Sequence, residues 1–128
     1  MRSLAIASLL VLVAPTAILR AQQPSSGPAA DSILVTPATI ESGRKIFHGV
    51  GTCVTCHGAA LEGSAVAPTL RAHQWRDATD GELAPIYHVV THGVPGTLMV
   101  SHPGGISDQM AREVAAYIWA VNHRGEKP

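Results

Sequence analysis

Two cysteines three positions apart, with a histidine directly after the second, constrain this chain more than any other feature. Cys53, Cys56 and His57 stand in the run GTCVTCHG (51–58), and the 128 residues contain no further cysteine. Four chemistries use such a pair. Structural zinc wants four ligands, usually as two separated pairs. Two of His73, His88, His92, His102 and His123 would have to complete that set, and His88 with His92 is the pair spaced for one helix. A thioredoxin-like dithiol needs a βαβ setting that presents the motif at a helix N-terminus, and no strand pattern flanks this one. A disulfide across two intervening residues closes a small loop and stabilises little. The fourth chemistry uses all three side chains: in C-x-x-C-H the thiols form thioethers to the vinyl groups of a haem and the histidine ligates its iron. Two intervening residues let the sulfurs reach neighbouring vinyls of one macrocycle, and the next residue in the chain then lies under the metal.

Composition fits a domain built around something other than its own side chains. Apolar residues make up 46% of the chain but aromatics only 4%, so a bound cofactor is a candidate for filling the centre. The length accommodates one domain. Arg2, the apolar run LAIASLLVLV (4–13), Pro15 and the small residue Ala21 have the shape of a secretory signal peptide. The run is too short and too broken to span a bilayer comfortably. We therefore expect a signal peptide over 1–21, a flexible Pro/Ser/Gly/Ala linker over 22–35, and a folded domain over 36–128 in an exported, periplasmic protein. Of the 9 basic and 9 acidic residues, removal of Arg2 and Arg20 leaves 7 against 9, a net charge of about −2. Without clustered Lys and Arg, nucleic acid is not an expected partner.

Along the domain the pattern is helical, with no strand signal. Thr36 followed by Pro37 is a helix start, and Ile40, Gly43 and Phe47 fall on one face of a helix ending near His48 or Gly49. Glycine inside a helix costs on the order of 1 kcal/mol against alanine, so Gly43 points to close approach by another element. The stretch 58–78 reads as an extended loop pinned by Pro68. A second helix is expected from a cap at Asp80, and Pro85 leaves two forms of it open: a short helix beginning near the proline, or a kink there. THGVPGTLMVSHPGG (91–105) holds four glycines and two prolines and reads as irregular. Ser107 then opens a last helix, with Asp108 in its first turn and Met110, Val114, Tyr117, Ile118 and Val121 as its apolar stripe.

The blocks SGRKIFHGVGTCVTCHG, APTL, HGVPGTLM and ISDQMAREVAAYIWAVN occur in this order. Together they make the chain resemble a small monohaem class I cytochrome c of the bacterial periplasmic type, from about Thr36 to Asn122. The resemblance implies an all-α cytochrome c-like fold, with three main helices and long loops wrapped around one covalently bound haem c. It implies that Gly43 and Phe47 pack against Tyr117 at a helix crossing. It also implies that the carbonyl of Pro68 accepts the Nδ1–H of His57, and that Met99 is the distal ligand. Cys53 and Cys56 then carry the haem and His57 is the proximal ligand.

The sixth ligand is chosen among three possibilities. Met99 lies in the Gly/Pro-rich loop, where a side chain turns inward without disturbing helix packing, whereas Met110 sits inside the last apolar stripe. His102 is the rival, and an open position is the third. Trp75 is read either as packing on the haem or a propionate, or as holding the middle loop. Arg71 and Arg76 are read as solvated, Trp119 as ordinary packing, and His48 and the other histidines as surface residues. The expected function is one-electron transfer in the periplasm, with a dehydrogenase, an oxidase or another cytochrome as partner. The alternatives are a five-coordinate haem sensor or peroxidase-like enzyme, and a zinc-stabilised module.

Overall fold

The computed structural model describes residues 33–72, 75 and 81–128. The expected signal peptide, nearly all of the expected linker, His73, Arg76 and Asp80 lie outside the described residues. Four helices follow in order: α1 (Pro37–His48), α2 (Val54–His57), α3 (Leu83–His92) and α4 (Asp108–His123), with a 3-10 turn at Pro103–Gly105 before α4. Among the described residues there is no strand; Ser64 and Ala67 form an isolated antiparallel bridge.

Local chemistry sets the helix starts. The Thr36 hydroxyl accepts from the Thr39 amide at 3.2 Å, and the Thr39 hydroxyl accepts from the Thr36 amide at 2.9 Å. This is a reciprocal capping box with threonine in the role usually taken by Glu or Gln. Pro37 fills the first helical position, where its missing N–H breaks no bond. At α4 the Ser107 hydroxyl accepts from the Met110 amide at 3.3 Å. Between them, α3 differs from the sequence expectation. Its flanking residue is Glu82, and Pro85 occupies the first turn, where a proline costs no intrahelical bond. It also runs on through Thr91 and His92, which the sequence reading placed in the irregular stretch. The Thr91 hydroxyl is satisfied by donating to the Tyr87 carbonyl at 2.9 Å.

The terminal helices cross at Gly43. A Cβ there would meet the carbonyl carbon of Glu113 at 2.6 Å and Cβ of Tyr117 at 2.8 Å, so only glycine permits the approach. One turn on, Phe47 meets Tyr117 edge to face, with ring centroids 5.6 Å apart at 66°, an arrangement favourable beyond its area alone. Both rings are fully buried. Four alanines of α4 (Ala111, Ala115, Ala116 and Ala120) are also fully buried. They widen the apolar stripe beyond the large residues, and their size lets the backbones close up. Val114 and Ile118 of α4 face α3 residues Ile86 and Val90 across a cavity. At its C-terminal end α4 is tied to the middle loop, where the Asn122 side-chain amide donates to the Leu70 carbonyl at 2.7 Å.

Candidate functional site

The cavity has a volume of about 680 Å³, within the range of about 300–1,000 Å³ typical of ligand and cofactor pockets. Its walls bring together Cys53, Cys56 and His57 from one side, Pro68, Leu70 and Trp75 from the middle loop, and Leu98, Met99 and Val100 from the loop before α4. Phe47, Ile86, Val90, Val114 and Ile118 close the apolar interior.

The motif is presented by α2, a single turn that periodicity could not reveal. Thr52 enters it with φ 55° and Gly58 leaves it with φ 80°, and the latter conformation favours glycine. The His57 amide bonds the Cys53 carbonyl at 2.9 Å. His57 is buried, and its Nδ1 lies 3.0 Å from the Pro68 carbonyl oxygen. A carbonyl only accepts, so Nδ1 carries the proton and Nε2 keeps its lone pair. The loop that returns Pro68 to this position is held by backbone bonds. Gly63 N donates to His57 O at 2.8 Å, Ser64 N to Ala67 O at 2.8 Å, and Leu70 N to Leu61 O at 2.8 Å. Trp75 lines the cavity, and its indole N–H donates to the Thr69 carbonyl at 2.7 Å. That bond anchors the middle loop and commits the indole donor.

Cys53 and Cys56 are not bonded to each other. Burial pushes the Cys53 thiol up to about 11, with the neighbouring Cys56 adding to the effect. A reactive dithiol needs the opposite, a thiol lowered by positive surroundings. Zinc fares no better. His88 and His92 do not line the cavity that holds the cysteines, and among the described residues no three His, Cys, Asp or Glu side chains are placed to hold one ion.

Met99 also lines the cavity and sits in a loop fixed at its shoulders. Val94 N donates to Met99 O at 2.8 Å and Met99 N to the Thr97 hydroxyl at 3.1 Å. Gly93, with φ 70°, lets the loop fold back. A Cβ there would meet the Met99 carbonyl oxygen at 2.6 Å. His102 is placed elsewhere: its Nε2 lies 2.8 Å from Asp108 Oδ1, and it does not line the cavity. Met110 is partly buried against the core.

Among the described residues, Val66 (61%), Leu98 (69%) and Val100 (59%) are exposed large apolar side chains that belong to the lining of the cavity. Such apolar exposure around one cleft marks a binding site. The lining includes the His57 imidazole, the Met99 side chain and, beside the imidazole, the two thiols. This donor set suits iron in a macrocycle.

Comparison with known proteins points the same way. The sequence model of the family described as cytochrome c oxidase, cbb3-type, subunit III, matches residues 38–118. Among solved structures, cytochrome cL from the marine methylotrophic bacterium Methylophaga aminisulfidivorans superposes with a TM-score of 0.55 at 19% identity. The match covers 66% of this chain and 54% of that one. Cytochrome c6 from the diatom Phaeodactylum tricornutum gives 0.54 at 27% identity, covering 68% and 98%. Cytochrome cL from Hyphomicrobium denitrificans gives 0.50 at 24%, covering 62% and 45%. The chain thus spans about half the length of the two cL structures. Among curated proteins, none matches the sequence.

Proposed function

Since the chain belongs to the cytochrome c family described as cbb3-type oxidase subunit III, with a cytochrome c fold and covalent haem c as its cofactor, we propose that it is a periplasmic one-electron carrier with His57/Met99 ligation. Cys53 and Cys56 hold the haem through thioethers, His57 is the proximal ligand through Nε2, and Met99 is the distal ligand. Haem c bound there supplies an Fe(III)/Fe(II) couple, which a methionine ligand biases toward Fe(II) and a higher potential.

The observation that carries this reading is the bond from His57 Nδ1 to the Pro68 carbonyl, 3.0 Å long, on a cavity that Met99 also lines. The carbonyl fixes the tautomer that leaves Nε2 free and raises the basicity of the ring. The pairing of His102 with Asp108 favours Met99 over His102. Two protein ligands leave no position for substrate, which favours a carrier over a sensor or peroxidase-like enzyme. The chain's own part is to orient the ligands, keep water from the apolar walls, and let partners approach.

Partner contacts in such transfer are small and transient. A dehydrogenase, an oxidase or another cytochrome fits that requirement, with the chain acting alone or as a subunit. With a net charge of about −2 after loss of Arg2 and Arg20 from a balanced chain, steering toward the partner is weak and mildly salt-dependent. Among the described residues no helix is long and apolar enough to cross a membrane.

Carbon monoxide tests the ligation. The reduced holoprotein at neutral pH should leave its spectrum unchanged under carbon monoxide, because both axial positions are taken. Rapid and complete conversion to a carbonyl complex would instead establish the five-coordinate alternative.

A further inference from the structure

Outside the cavity, the chain carries a second arrangement of metal-binding side chains. His88 and His92 stand one turn apart on α3, both exposed, with their rings stacked at 4.0 Å between centroids and 21° between planes. The Nδ1 of His92 lies 3.1 Å from the His88 carbonyl oxygen. Donating there leaves Nε2 with its lone pair. The same nitrogen lies 2.9 Å from the Thr91 hydroxyl, so the ring is anchored from its inner edge.

We propose that His88 and His92 form a bidentate site for a divalent first-row transition ion such as Zn²⁺ on the outer face of α3, with water completing the shell. Side chains four apart on a helix share a face, and two histidines at this spacing are the metal-holding element of H-E-x-x-H helices. Imidazole is a preferred ligand for such ions, and a carbonyl on the far ring nitrogen is the usual support of a ligating histidine. The two rings already lie together on one face of the helix, and rotation about the side-chain bonds turns their in-plane nitrogens toward one ion. The charged surroundings are close to balanced. The Asp108 carboxylate at the start of α4 interacts with both His92 and Arg112, and the Arg112 guanidinium sits 5.2 Å over the Tyr87 ring. With no third ligand converging among the described residues, the affinity is that of a two-histidine chelate. The site is separate from the haem cavity, and its fate does not depend on which residue is the distal haem ligand.

Zinc titration of the untagged holoprotein by calorimetry tests this. Wild type should bind one ion at this site. His88→Ala and His92→Ala should each weaken it about tenfold or more, with the haem spectrum unchanged because both side chains point to solvent. His102→Ala should keep the affinity within about twofold, since that imidazole is engaged by Asp108. No zinc uptake by wild type, wild-type affinity in both α3 variants, or a loss confined to His102→Ala would each overturn the assignment.

Discussion

Gly43→Ala lowers the melting temperature of the holoprotein by about 15 °C. The methyl group would enter space held by the Glu113 main chain and by Tyr117 Cβ, and neither can rotate away as the tip of a flexible side chain could. To admit it, α1 and α4 must move apart, which loosens the Phe47–Tyr117 contact and the alanine face of α4 together. Overpacking typically costs about 1–3 kcal/mol and sometimes more. A backbone obstacle puts this case just beyond that typical range, at about 4 kcal/mol, so about 3 kcal/mol remains after the gain in helix propensity of about 1 kcal/mol is offset. For a domain of this size each kcal/mol shifts the midpoint by about 4–8 °C. Thermal unfolding followed by far-UV circular dichroism measures it. Helix propensity acting alone predicts the opposite sign, so a midpoint at or above wild type would contradict the crossing.

The second large effect is on the redox centre. Met99→Ala should remove the weak long-wavelength charge-transfer band of the oxidised protein, lower the reduction potential by on the order of 100 mV or more, and open the reduced form to carbon monoxide. The substitution leaves the loop's backbone bonds from Val94 and to Thr97 in place, so the change reports the lost thioether and not a collapsed loop. His102→Ala should leave band and potential as they were. If the wild type lacks the band, and His102→Ala rather than Met99→Ala shifts the potential, the distal ligand is His102.

Much of this was legible in the residues, for identifiable reasons. The Thr36–Pro37 start and the Ser107 start are local chemistry, and local chemistry survives folding. Gly43 announced a close approach because nothing else justifies glycine in a helix interior. What escaped has physical causes too. The α2 turn (Val54–His57) is too short for any period to register, and its shape comes from Thr52 and Gly58 at its edges. Of the two readings that Pro85 leaves open, the short helix beginning near it holds and the kinked helix from Asp80 does not, because a proline in the first turn breaks no bond. The buried alanines of α4 carry little hydrophobic signal individually, so the stripe appeared narrower than the packed face, while Met110 and Val121 are only partly buried. The ties from Asn122 to Leu70 and from Trp75 to Thr69 join distant or irregular segments, which no spacing rule connects. The pairing of His102 with Asp108 likewise depends on a left-handed residue, φ 47°, in the loop.

The central claim is covalent, and mass spectrometry tests it most directly. The mature protein, made in a host that assembles c-type cytochromes, is treated with acidified acetone and then with a thiol-alkylating reagent. The account predicts a chain heavier by one haem, with neither Cys53 nor Cys56 alkylated. A chain of bare polypeptide mass, with the pigment in the solvent and both sulfurs alkylated or joined to each other, would contradict it.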